Sequence, residues 1–229
     1  MLTAEEWTIV VLSIKVGTVA IAATLPAAFV IGWLLARCEF PGKTLLDALV
    51  HLPLVLPPVV TGWMLLLAFG NRGPLGQLLH EVFGVSLMFR WTGAALASAV
   101  MALPLMVRAM RLSIEAIDRR LESAARTLGA SPWRVFLGIT LPLSMPGVLA
   151  AGVLGFARSI GEFGATITFV SNIPGETQTL PLAIYSELQR PGGDAMVTRL
   201  ALMSVGLSLL ALAVSEALAR RTGRGGHVL

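Results

Sequence analysis

Residues 121–142 read LESAARTLGASPWRVFLGITLP, a polar stretch with two arginines that lies between hydrophobic segments. Upstream and within it, apolar residues recur at helical spacing, at positions 114, 117, 121, 124, 125 and 128. Gly129 suits the left-handed position that ends a helix. Ser131 can cap the next helix, and Pro132 fits the first turn of that helix. The sequence therefore predicts a helix from Ile114 to Leu128, a tight turn and a second short helix.

The composition around this stretch is that of a membrane protein. The chain has 229 residues, of which 55% are hydrophobic and 13% charged, and its mean hydropathy is +0.80. Soluble domains carry about 25% charged residues, and a transmembrane helix needs about 20 mostly apolar residues. We expect an all-α integral membrane protein with one transmembrane domain over residues 1–229. Its five predicted spans are about 16–36, 49–69, 92–111, 145–165 and 200–219.

The distribution of basic residues predicts the orientation. The connections after the first and third spans, with the C-terminal tail that includes Arg224, hold eleven of the seventeen Lys and Arg residues. Cytoplasmic loops are the richer in these residues, so the N-terminus should lie outside and the C-terminus in the cytoplasm. Residues 113–138 then face the cytoplasm. The same bias explains the net charge of +4 without nucleic-acid binding, and the acidic start, Glu5 and Glu6, is unlike the basic start of a signal peptide.

The fourth span contains two ionisable residues four positions apart, Arg158 and Glu162. Such residues inside a membrane usually face an interior or an aqueous cavity. Hydroxyl side chains lie close by, as a polar path filled with water would require. The alternatives are a purely structural ion pair or an arginine that reaches the headgroups. The candidates for a translocation path or gate are Arg158, Ser159, Glu162, Phe163, Thr166 and Thr168.

No catalytic or metal-binding set is predicted. Gly42-Lys43-Thr44 matches the end of a phosphate-binding loop, but position 37, where its first glycine belongs, is Arg37. His51, His80 and His227 lie apart from one another, and Cys38 is the single cysteine. We expect no cofactor in this chain.

The spacing within residues 121–142 resembles the signature of permease subunits of bacterial ATP-driven (ABC) importers. In that family two alanines are followed by a glycine and then by an Ile-x-Leu-Pro end. The family's usual glutamate falls here on Ser123, with Glu122 one place earlier. The resemblance implies the MetI-like ABC permease fold and a coupling helix, between the third and fourth spans, that inserts into the ATPase. The implied docking residues are Glu122, Ser123, Ala124, Ala125, Arg126, Gly129, Ile139, Leu141 and Pro142. An amphipathic helix lying on the headgroups is the alternative for this segment.

Further stretches resemble permeases for tetrahedral oxyanions. The stretch GEFGATI at 161–167 is similar to permeases for molybdate and sulfate, whereas HLPLVLPPVV at 51–60 and FVSNIPGET at 169–177 resemble the molybdate branch. The resemblance implies a multi-pass bacterial inner-membrane homodimer with two ABC ATPase subunits and an extracytoplasmic molybdate-binding protein, surrounded by membrane lipid. The alternatives are a sulfate or thiosulfate permease, a stand-alone channel or secondary carrier, and, more remotely, an intramembrane enzyme using His51, His80 or Glu162.

Overall fold

The computed structural model describes residues 3–223, and those residues form helices joined by short loops without any strand. The predicted all-α class is therefore confirmed; Arg224 and His227 lie outside the described residues. The helices are α1 (Ala4–Arg37), α2 (Lys43–Val55), α3 (Pro58–Phe69), α4 (Pro74–Phe83), α5 (Trp91–Glu115), α6 (Arg119–Thr127), α7 (Pro132–Val135), α8 (Leu141–Ile160), α9 (Gly164–Val170), α10 (Leu180–Leu188) and α11 (Asp194–Gly223).

Helices α1, α5 and α8 form the centre of the bundle, and small residues let them approach closely. A Cβ placed on Gly155 would lie 2.8 Å from the sulfur of Met106, and one on Gly147 would lie 2.2 Å from the Cβ of Ser113. Ala28 and Ala102 are fully buried in the same core. Packing through glycine and alanine is usual between membrane helices, because lipid provides no hydrophobic force to press them together.

Within residues 3–223, four helical stretches are long and apolar enough to cross a membrane: Ala4–Arg37, Trp91–Glu115, Pro132–Ile160 and Asp194–Val214. The predicted span 49–69 is a pair of helices instead, α2 and α3, with a bend of 117° between them. Pro57 causes the break, since proline lacks an N–H and favours an extended conformation in the residue before it. Leu56 is indeed extended, with ψ of 143°. The bent pair counts as a fifth span only if its two halves are taken together.

The region around residues 114–140 differs from the predicted helix, turn and short helix. The helix α5 ends at Glu115, and α6 begins at Arg119 after Asp118, whose carboxylate accepts a hydrogen bond from the N–H of Arg120 (2.9 Å). The second helix is not short, because α7 continues through a π-helical turn at Phe136–Thr140 directly into α8. An uninterrupted helix therefore connects this segment to α8.

Helices α4 and α10 were not predicted from the sequence, and they lie in the connections before α5 and α11. The start of α1 is tied to α11 by Glu6, which is buried and whose Oε1 lies 2.6 Å from Nε of Arg199. Ser13 accepts a hydrogen bond from the N–H of Leu180, at 2.8 Å. These contacts fasten α1, α10 and α11 together at the end of the bundle remote from residues 113–138.

Candidate functional site: a coupling segment and a helix joint

The coupling segment, residues 113–138, carries the most exposed large apolar side chain of the described residues. Helix α6 has no buried residue. Leu128 is 88% exposed and Trp133 is 74% exposed. Large apolar groups that stand free on a charged segment are typical of a surface for another protein. The exposed apolar side chains here are Leu121, Leu128, Trp133 and Leu137.

Gly129 makes the turn between α6 and α7. Its φ is +85°, which is the left-handed conformation predicted from the sequence. A Cβ at this position would meet no atom within 4 Å. The requirement for glycine is therefore one of backbone conformation and not of space.

Polar contacts fix the inner side of the coupling segment to the end of α1. The guanidinium of Arg37 donates to the carbonyl of Ile117 (3.1 Å) and lies 3.3 Å from the carboxylate of Glu122. Glu122 also accepts a hydrogen bond from the hydroxyl of Thr140, at 2.8 Å. In return, Arg119 donates to the carbonyl of Ala36 (3.3 Å). Glu122 thus joins α1, α6 and the π-helical turn.

The predicted docking residues do not all lie on one surface. Ser123, Ala124, Arg126, Gly129 and Pro142 are exposed, whereas Ala125, Ile139 and Leu141 are half-buried. Glu122 is engaged within the chain. Sequence reasoning missed Leu128 and Trp133, although the helical spacing puts Leu128 on the apolar face. The docking roles of all nine residues stay predictions.

The predicted path residues belong to a second feature, the helix joint, which comprises residues 158–168 and the nearby start of α3, Pro58–Gly62. Helix α8 ends at Ile160, and Glu162 lies just beyond that end. Its side chain is 2% exposed and pairs with Arg158 at 2.7 Å. The other carboxylate oxygen accepts a hydrogen bond from the N–H of Ala165, at 2.8 Å. Glu162 therefore pairs one of the free N–H groups in the first turn of α9 and also offsets the charge of Arg158.

Glycines bring α3 and α9 into contact at the helix joint. A Cβ on Gly62 would lie 2.6 Å from the carbonyl oxygen of Ala165, and one on Gly164 would lie 2.7 Å from the Cβ of Pro58. Both helices begin just after a short interruption of the helical structure. Discontinuous helices packed against each other are typical of transporters.

The remaining path candidates are distributed around the helix joint. Thr166 is buried within the subunit, and Thr168 donates to the carbonyl of Gly164 in its own helix (2.8 Å). The ring of Phe163 lies 4.9 Å from that of Tyr185. The hydroxyl of Ser159 is buried, and it finds no hydrogen-bond partner among residues 3–223. The structure brings these residues together, and their part in translocation stays a prediction.

A comparison with family models matches residues 28–224 to the binding-protein-dependent transport system inner membrane component. The match covers most of the chain, including the coupling segment and the helix joint. The chain belongs to this family. Its members are inner-membrane transport components, and the predicted multi-pass membrane class follows from membership together with the long apolar helices.

Curated relatives of this inner-membrane component match over nearly its whole length. It is 56% identical to the molybdenum transport system permease protein ModB of Escherichia coli K12 over 228 residues, covering 98% of this chain and 100% of the relative. It is 59% identical to ModB of Haemophilus influenzae over 210 residues, covering 92% of each. The resemblance to ABC permeases of the molybdate branch is thereby confirmed.

Among solved structures, the fold is similar to a chain of the MetNI methionine ABC transporter in inward-facing conformations. The TM-score is 0.69, and the match covers 95% of this chain and 94% of the other at 15% identity. At that identity the likeness concerns the fold alone. The predicted MetI-like fold is confirmed.

Proposed function

We propose that this chain is the permease subunit that carries molybdate across a bacterial inner membrane in an importer driven by ATP. The identity of 56–59% to molybdenum transport permeases over nearly the full length is the observation that carries the proposal. The residues that resemble the molybdate branch include the compact loop after α9. There the buried hydroxyl of Thr177 donates to the carbonyl of Ser171 (3.0 Å) and accepts from the N–H of Ile173 (2.8 Å).

A separate ATPase subunit supplies the energy by docking on the coupling segment. Leu128 and Trp133 offer it apolar anchors, and Ala124 next to them allows a close approach. In typical complexes a few well-packed residues near the centre of the interface, with tryptophan prominent among them, provide most of the binding energy. Because α7 continues into α8, a shift of the docked ATPase moves α8 as one body. Arg37 and Glu122 keep the segment attached to α1 during that shift.

The complete transporter contains two copies of this chain, two ATPase subunits and an extracytoplasmic binding protein. The four long apolar helices and one bent pair of a single copy are few for a path with a gate on each side, so two copies around a two-fold axis form it. The N-terminus lies outside, and the coupling segment and C-terminus lie in the cytoplasm, in accord with the predominance of basic residues there. ATP and Mg are bound by the ATPase.

The binding protein chooses the cargo, and the permease needs only a weak, transient site. In the present conformation, Arg158 is already paired with Glu162, and that carboxylate also occupies the N–H of Ala165. The charges of Arg158 and Glu162 are therefore satisfied by groups of the helix joint itself. An oxyanion would gain access to Arg158 only after the joint opens, which couples any contact with cargo to the motion of α8.

The test is uptake of labelled molybdate at trace concentration by cells lacking this chain, with excess sulfate as competitor. We expect uptake to be lost in the deletion strain, to return with the wild-type gene and to resist sulfate. A strain that carries a catalytically inactive ATPase serves as the control for ATP dependence. If the deletion strain took up molybdate normally and took up less sulfate, the cargo would be sulfate and not molybdate. Transport that survives without any ATPase would contradict the importer mechanism itself.

A further inference from the structure

Two adjoining cavities lie between the end of α1 and the coupling segment. One is apolar, with a volume of about 300 Å³, and the other is polar, with a volume of about 420 Å³. Trp33, Pro132 and Phe136 line both, so the two cavities lie side by side, and together they are called the recess. Neither cavity includes a residue of the helix joint.

The polar cavity carries an excess of positive charge. Three guanidinium groups, those of Arg37, Arg119 and Arg126, line it together with one carboxylate, that of Glu122. The side chain of Arg37 is 8% exposed. Its Nε is buried and has no hydrogen-bond partner among the described residues. A buried donor without a partner is costly, and an anion in this cavity would satisfy it.

The apolar cavity has rigid aromatic walls. The ring of Phe136 lies 5.9 Å from that of Phe29 and 6.3 Å from that of Trp33, and Trp133 approaches it at 6.1 Å. All three pairs meet edge to face, which is a favoured arrangement of aromatic rings. Tryptophan is enriched at the level of the lipid headgroups. The recess therefore combines a cationic end and an apolar end, which match the phosphate and the acyl chain of a phospholipid.

We infer that this recess binds one anionic phospholipid, with its phosphate among the three arginines and an acyl chain between the aromatic rings. The bound lipid would touch α1, α6 and α7 together and so set the depth of the coupling segment relative to the bilayer. The inference depends on the proposed orientation of the chain and not on the identity of the cargo. It can therefore fail while the molybdate assignment stands.

The charge requirement is tested in the assembled permease–ATPase complex in phosphatidylcholine nanodiscs. Spin-labelled phosphatidylglycerol and spin-labelled phosphatidylcholine are added in turn, and the motionally restricted fraction of each gives the preference for the anionic lipid. We expect Arg126→Gln to lower that preference by about five-fold, which is the contribution typical of one basic residue near an anionic surface. Arg120→Gln is the matched control, since Arg120 is an exposed arginine on the same helix that lines neither cavity.

The acyl-chain requirement is tested by filling the apolar cavity without changing any charge. Val30 lines that cavity and is exposed, so Val30→Trp should block the cavity. We expect it to reduce the motionally restricted fraction of spin-labelled phosphatidylglycerol. Val19→Trp, at an exposed position of α1 that lines neither cavity, should leave it unchanged. This pair decides the matter if Arg126→Gln prevents assembly with the ATPase.

Three results would overturn the inference. A wild-type complex without preference for phosphatidylglycerol would mean that no anionic lipid is held, as when an acidic side chain of the ATPase fills the polar cavity. Equal effects of Arg126→Gln and Arg120→Gln would show that the preference comes from general surface charge and not from the recess. Equal effects of Val30→Trp and Val19→Trp would show that the acyl chain does not occupy the recess.

Discussion

The coupling segment and the helix joint differ in how their functional residues are satisfied. In the coupling segment, Leu128 and Trp133 project from the chain and leave most of their surface uncovered. In the helix joint, Glu162 and Gly62 are buried, and neighbouring atoms surround them at close range. The first region leaves large apolar side chains uncovered within one subunit, as a docking surface would require, whereas the Arg158–Glu162 pair of the second is closed within one subunit. Mutations in the joint should therefore act on stability, and mutations in the segment should act on assembly and coupling.

The largest effect is expected for Glu162→Ala. It removes the carboxylate that pairs with Arg158 and accepts from the N–H of Ala165. We expect a loss of about 3 kcal/mol, at the lower end for a broken buried pair because Arg158 keeps some contact with solvent. The measurement is the thermal stability of the purified permease, with Glu176→Ala, an exposed glutamate in the next loop, as control. Equal stability of the two variants would show that the ion pair does not hold the joint.

Gly62→Val should be next in size, because its side chain would overlap the backbone of Ala165. Overpacking of this kind costs about 1–3 kcal/mol, and we expect lower thermal stability together with reduced molybdate uptake. Gly206→Val is the matched control, since Gly206 lies on α11 and a Cβ added there would meet no atom within 4 Å. Normal uptake and stability of Gly62→Val would mean that α3 and α9 need not approach closely.

Gly129→Val should leave the fold nearly intact and uncouple ATP hydrolysis from transport. A side chain at position 129 would meet no neighbouring atom, so the free-energy cost comes only from holding a β-branched residue in the left-handed conformation, about 1–2 kcal/mol. We expect the turn to change its shape to relieve that cost. The readout is the ratio of molybdate carried to ATP hydrolysed in proteoliposomes. Gly138→Val, at a glycine of the same segment with open space and no positive φ, should keep the ratio. Coupled uptake by Gly129→Val would contradict the account of the turn.

Leu128→Ala should have the smallest effect on stability, because an exposed side chain loses no internal packing. We expect unchanged thermal stability and a loss of about 1–2 kcal/mol in association with the ATPase, the range of a modest interface anchor. Co-purification at graded ATPase concentration measures this. Leu202→Ala, at an exposed leucine of α11, is the control and should bind the ATPase normally. Equal binding by both variants would remove Leu128 from the docking surface.

The sequence predicted local features of both the coupling segment and the helix joint, for a physical reason. A turn such as the one at Gly129 depends on local conformation, which neighbouring residues specify. Pairing of Arg158 with Glu162 was also predictable, since the two are four residues apart. By contrast, the contact of Gly62 with Ala165 joins residues that are far apart in the chain, and no periodicity reports such a contact. The helices α4 and α10 were missed because they are shorter than a membrane span.

The sequence by itself determined the membrane class, the helical content, the glycine turn and the resemblance to ABC permeases, because hydropathy and local backbone preference are properties of neighbouring residues. Only the tertiary structure decided that α7 and α8 form one continuous helix and that the chain bends by 117° between α2 and α3. It also decided that Glu122 turns inward to Arg37 and Thr140. Those outcomes depend on which helices pack together, and packing between distant segments is what a linear pattern does not contain.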